Sequence, residues 1–155
     1  MNHPDRQPGG RILALDLGAR RVGVAVSDEL GITAQGLPTL VRTNLREDLA
    51  RVTRLAEEWG AGMILIGNPL HMSGAEGRQS AWVRQFAEKL EGRSGLPVKL
   101  WDERLTTVEA ERVLDAGRVT RDKHRMAIDR LAAVILLESY LESPACSAGP
   151  EEEAE

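Results

Sequence analysis

The feature that most constrains this chain is a carboxylate set inside an apolar run. Ile12-Leu13-Ala14-Leu15-Asp16-Leu17 and Val22-Gly23-Val24-Ala25-Val26 flank the turn Gly18-Ala19-Arg20-Arg21. Both runs are short and rich in Val, Ile, Leu and Ala, which predicts a β-hairpin at the centre of a sheet. Strand alternation puts Ile12, Ala14 and Asp16 on one face and Leu13, Leu15 and Leu17 on the other. A carboxylate there must find a partner, because burying an unpaired charge costs several kcal/mol. A metal ion is one such partner; an ordinary Asp-x-Gly turn is the simpler alternative. Gly18 and Gly23 suit a tight turn or the close approach of a phosphate.

The remaining pattern is α/β. Residues 32–41 read as a third strand, with Pro38 marking an edge. Asn44 and Glu47 resemble a capping pair, and Leu45, Leu49, Val52, Ala56 and Trp59 follow at helical spacing until Gly60. Met63-Ile64-Leu65-Ile66 is a fully apolar strand, parallel to a neighbour after its crossover helix. A glycine-bearing loop, 67–77, leads to a helix over 77–91. Val98-Lys99-Leu100-Trp101 is the last strand, ending in Asp102-Glu103-Arg104. A capping box, Thr106 to Glu109, opens a helix that Gly117 stops, and residues 122–141 form the final helix. Expected domain limits are a leader over 1–10, one domain over 11–141 and a disordered acidic tail over 142–155.

Charge narrows the function classes. The tail residues Glu151, Glu152, Glu153 and Glu155 hold four of the 24 acids, so the other 20 match the 20 Lys and Arg. This is not the basic balance of a tight non-specific nucleic-acid binder, although local clusters can still hold phosphates. No apolar run reaches the ~20 residues of a membrane span. The lone Cys146 leaves no disulfide, which makes the cytoplasm the default compartment.

Two more carboxylates are placed to join Asp16. Glu103 lies just past the end of the last strand, where ligands gather in open α/β sheets. Asp129 heads the face made by Ala132, Ala133, Leu136, Leu137 and Tyr140, so it points at the sheet. Each has an alternative: Glu103 with Arg104 or as a helix cap, Asp129 with Arg125 one turn earlier. Asp102 faces away from Glu103. Oxygen ligands with no zinc-spaced Cys or His favour Mg²⁺ or Mn²⁺. Two such ions ~4 Å apart support phosphodiester hydrolysis. Arg20, Arg21, Arg104, Lys123 and Arg125 are the candidate phosphate contacts, with His124 as a proton-transfer candidate. Trp101 is expected in the core.

The blocks Leu15-Asp16-Leu17-Gly18 with Arg21-Val22-Gly23-Val24, Gly67-Asn68-Pro69, Asp102-Glu103-Arg104-Leu105-Thr106-Thr107, and Asp129 with Ala132-Ala133 occur in one order. Together they resemble the bacterial YqgF (RuvX) family over about 11–141. The resemblance implies an RNase H-like (RuvC-like) fold: a mixed five-stranded sheet with an antiparallel hairpin and helices on both faces. It implies a metal-dependent nuclease acting in 5′-end processing of the small-subunit (16S) rRNA precursor, with ribosome assembly intermediates as partners. The alternatives are a nuclease of Holliday junctions, branched or single-stranded DNA, and a noncatalytic RNA-binding assembly module. It implies that Asp16, Glu103 and Asp129 are both metal ligands and catalytic residues for two ions, Mg²⁺ or Mn²⁺, with Asp16 bridging them. Monomer and homodimer both stay open. Asn68, in place of a usual Leu, and Arg130, in place of a small residue, depart from the family pattern. The Asp-x-Gly hairpin also resembles the first phosphate loop of actin-like ATPases, which need two such domains.

Overall fold

The computed structural model describes residues 10–69, 73–103 and 121–148. The hairpin expected from the apolar runs is present: β1 (Arg11–Leu17) and β2 (Arg21–Ser27) pair antiparallel, with Asp16 opposite Gly23. β3 (Ala34–Val41) adds antiparallel to β2 at the sheet edge, where Pro38 removes no needed donor. α1 (Leu45–Trp59) crosses over to β4 (Ala61–Asn68), and α2 (Arg78–Ser94) leads to β5 (Val98–Asp102). β1, β4 and β5 run parallel, giving the order β3-β2-β1-β4-β5. α3 (Arg121–Leu141) closes the second face. The helix expected over 106–117 lies outside the described residues.

Local chemistry sets these boundaries. The Asn44 side chain accepts from the Glu47 N–H at 2.9 Å, capping α1, and Gly60 ends it in the left-handed region. Alternation along the strands then builds two cores. Leu13, Leu15, Val24, Ile64 and Ile66 pack beneath α1 and α2 with Val52, Phe86 and Leu90. Ile12, Ala14, Ala25 and Leu65 pack beneath α3 with Ala133, Leu136, Leu137 and Tyr140. Trp101 belongs to this second core, as expected: it stacks edge-on against Tyr140 and donates to Ser139 Oγ at 3.1 Å. Burial of these fully enclosed aliphatic side chains contributes about 1.5–3 kcal/mol each.

The expected tail does not start at 142. After Leu141 the chain forms a short helix, α4 (Pro144–Ala148), and Ala145 and Cys146 pack against the α3-side core. Apolar burial accounts for this order, which the Ser-Pro-Ala-Gly composition conceals. Among the described residues no helix is long and apolar enough to cross a membrane.

One buried carboxylate escapes sequence reasoning. Asp48 on α1 is 2% exposed and accepts from Arg42 Nε at 3.2 Å and from the Thr43 N–H at 3.1 Å. Burial alone would push its carboxyl up, but the Thr43 and Arg42 contacts outweigh it and hold it below the usual range. Its stabilising effect is therefore complete above the ordinary carboxylate range and lost as the pH falls through its lowered folded value. Urea titration of Asp48→Asn at neutral pH should show a loss of about 2 kcal/mol, because the half-buried Arg42 loses its counter-charge. An unchanged midpoint would mean that Asp48 does not anchor Arg42.

Candidate active site

Three elements bring the three expected carboxylates to one end of the sheet, on the α3 side. Asp16 is on central β1, Glu103 follows β5 two strands away, and Asp129 is in the third turn of α3. Two glycines make the meeting possible. Gly23 is opposite Asp16 on β2, and a Cβ there would overlap the Asp129 backbone carbonyl. So Gly23 is not a turn or phosphate-approach residue: it is a mid-strand notch into which α3 settles. On the other flank, a Cβ on Gly67 would lie 2.5 Å from Glu103 Oε2. The Glu103 side chain thus crosses β4 over a bare backbone position to reach Asp16. Thr39 Oγ1 donates to the Met126 carbonyl at 2.9 Å and ties the first half of α3 to β3.

The electrostatics follow from this crowding. Burial pushes the Asp16 carboxyl up, and the Asp129 charge adds to it, while a hydrogen bond with Glu103 opposes. Glu103 is pushed up to about 8 by burial first, then by the charge and hydrogen bond of Asp16, with Asp102 adding. Protonated Glu103 therefore donates to ionised Asp16. The alternatives of Glu103 as a cap or a partner of Arg104 do not describe this contact.

Asp129 takes a partner other than the Arg125 alternative. Arg21 Nε donates to Asp129 Oδ2 at 2.7 Å, across 108 residues of sequence, so Arg125 is not what holds it. Arg21 is the first residue of β2 rather than part of the turn, and its side chain shares the face of Gly23. Arg20 is exposed in the hairpin turn, and Lys123 and Arg125 are exposed near the start of α3. His124 is half-buried there. Arg104 lies outside the described residues. The departures from the family pattern have local accounts. Asn68 accepts from the buried Ser80 hydroxyl at 2.5 Å, and the Arg130 stem lies across Gly36 of β3.

The donor set suits a hard divalent cation. Two carboxyls that must share a proton, beside a third, form a concentration of oxygen donors that a cation relieves. Among the described residues no three His, Cys, Asp or Glu side chains are already gathered as a metal cluster.

Known proteins match this arrangement. A family model described as "RuvX: Holliday junction resolvase" matches residues 10–143. The chain belongs to the RuvX family. Relatives named "Putative pre-16S rRNA nuclease" include one from Koribacter versatilis, 51% identical over 86% of this chain and 87% of the relative. Another, from Geobacillus kaustophilus, is 48% identical over 86% of this chain and 98% of the relative. Among solved structures, RuvC of T. thermophilus in complex with a Holliday junction substrate superposes with a TM-score of 0.54 at 15% identity, covering 87% of this chain and 95% of that one. The Fowlpox virus resolvase with its junction DNA gives 0.54 at 14% identity, covering 86% and 98%. This RuvX-family chain therefore has the RNase H-like fold of the RuvC resolvases, as the motif resemblance implies.

The raised Glu103 carboxyl makes a testable stability profile. In EDTA the folded protein keeps a proton from the ordinary Glu value of 4.5 up to about 8 that the unfolded chain releases. Folded stability must then fall as the pH rises through that window, by at most about 1.4 kcal/mol per unit. Urea midpoints of Glu103→Gln should be nearly flat between pH 5 and 8 where the wild type declines. Parallel declines would place the proton elsewhere.

Proposed function

We propose that the chain is a metal-dependent nuclease that hydrolyses phosphodiester bonds in nucleic acid. Its substrate on this reading is the 5′ leader of the small-subunit (16S) rRNA precursor, met on ribosome assembly intermediates in the cytoplasm. The observation that carries the reading is the meeting of three carboxylates at one end of the sheet, Glu103 crossing Gly67 toward Asp16 and Asp129 seated beside them through Gly23. The names of the relatives support the rRNA assignment.

Asp16, Glu103 and Asp129 would hold two divalent ions, Mg²⁺ or Mn²⁺. Bound there, the ions supply Lewis acidity that activates a water and stabilises the leaving oxygen. The chain's own residues do the positioning. The β1 strand fixes Asp16 in the sheet, Gly67 leaves Glu103 its path, and Arg21 holds the Asp129 carboxylate in place. Arg20, Lys123 and Arg125, with Arg104, supply positive charge for the phosphates around the scissile bond.

The test uses end-labelled substrates: a precursor rRNA leader, single-stranded DNA and a four-way junction, each with Mn²⁺ or Mg²⁺. Metal-dependent cleavage of the leader in preference to both DNAs is the expected result. Preferred cleavage of the junction would turn the reading to branched DNA. Metal-independent RNA binding with no cleavage of any substrate would favour an assembly module.

A further inference from the structure

A second feature lies on the α1/α2 side of the sheet, away from the carboxylates. Ala19, Arg42, Arg78, Gln79 and Trp82 line an open cleft of about 500 Å³. That volume is in the range of small-ligand sites. The cleft is built rather than incidental. Arg42 is fixed three ways: over the Trp82 ring at 4.3 Å, to the Gly18 carbonyl at 3.1 Å and to buried Asp48 at 3.2 Å. Gln79 Nε2 reaches the Leu17 carbonyl at 3.4 Å. Trp82 is half-buried against Phe86, with ring centroids 5.8 Å apart. Arg78 is exposed at the start of α2, and among the described residues no side chain pairs with it.

The geometry points to a binding site for one nucleotide of a single-stranded nucleic acid, its base against the Trp82–Arg42 stack and its phosphate on Arg78. Three features select that ligand. An indole with a guanidinium laid on it offers a planar surface that any unpaired base can use. The neighbouring exposed guanidinium of Arg78 offers the charge and fork geometry that a phosphate takes. The Gln79 amide can hydrogen-bond a base edge or sugar hydroxyl. The cleft and the carboxylates share the hairpin: Ala19 and Gly18 belong to the turn that directly follows β1, which carries Asp16. A strand bent over the hairpin tip would place one nucleotide in the cleft and another at the carboxylates. A base held in a duplex cannot stack there, so the cleft selects unpaired substrate. This assignment rests on the nuclease reading for its purpose, but its binding step does not need cleavage.

The test is made in EDTA with a fluorescein-labelled 12-nucleotide oligouridine. Binding is followed by anisotropy, and tryptophan emission is followed with the unlabelled oligomer. The wild type should bind with quenched tryptophan emission. Arg78→Glu, a surface change, should weaken binding about tenfold. Trp82→Phe, which keeps the packing on Phe86, should lose the quench. A duplex RNA of equal length should give no quench. No binding by the wild type, equal binding by Arg78→Glu, or a quench surviving in Trp82→Phe would each overturn the assignment. Because no metal is present, a failure to cleave any substrate leaves this result standing. Cleavage without binding at the cleft would overturn the cleft alone.

Discussion

Replacing Asp16 with Asn should abolish cleavage and raise the melting temperature of the metal-free protein. The two effects have one cause. Asp16 is held where burial and the Asp129 charge both disfavour its ionised form. Asn keeps an oxygen to accept from protonated Glu103 but carries no charge, so the folded state loses a repulsion. A gain of about 1 kcal/mol would raise the melting temperature of a domain this size by about 2–4 °C. On the proposed nuclease reading the same change removes an anionic metal ligand, and with it several kcal/mol of transition-state stabilisation, or at least roughly 10³-fold in rate. Calorimetric scans in EDTA and single-turnover cleavage check the two halves. Retained cleavage would remove Asp16 from the chemistry. A lowered melting temperature would mean that the carboxylate is not strained.

Gly23→Ala is the second large effect, and it acts through the backbone. The new Cβ would overlap the carbonyl of Asp129, which belongs to a helix and cannot swing away as a side-chain tip can. Either α3 lifts from β2, exposing part of the core around Ala25 and Ala133, or the strand distorts. The cost is about 3 kcal/mol, at the upper end of ordinary overpacking. Where the variant folds, Asp129 is displaced with its helix, so cleavage falls as well. Urea unfolding of Gly23→Ala beside Gly92→Ala, where a Cβ would meet nothing, separates this from a general loss of glycine. Equal stability to the wild type would show that α3 does not depend on the notch.

Much of this was legible because strands and helices expose their faces in sequence. The alternation put Ile12, Ala14 and Asp16 on one strand face, which the fold turns toward α3, and Ala132, Ala133, Leu136, Leu137 and Tyr140 placed Asp129 on the sheet-facing side of that helix. The same alternation turned Asp102 away from Glu103 and left Glu103 as the candidate at that strand end. What stayed hidden depends on contacts between distant segments. Arg21 pairs with Asp129 across the sheet, a contact that one-turn helix spacing, which pointed to Arg125, does not encode. Gly23 and Gly67 read as loop or turn glycines because their function is to lack a side chain beside another element. Asp48 sits in the first turn of α1, where acids are usually solvated, and only the fold of β3 and the hairpin around Arg42 buries it. The Trp82 cleft was missed for the same reason: Arg42 and Trp82 are 40 residues apart and meet only when α2 packs near the hairpin turn.

Titration of Mn²⁺ into the metal-free protein by calorimetry tests the central claim most directly, because it asks whether the carboxylates hold a divalent ion. The wild type should show saturable binding, and Asp16→Asn and Glu103→Gln should each bind at least about tenfold more weakly while staying folded. Equal Mn²⁺ affinity in all three proteins would contradict the assignment of this site.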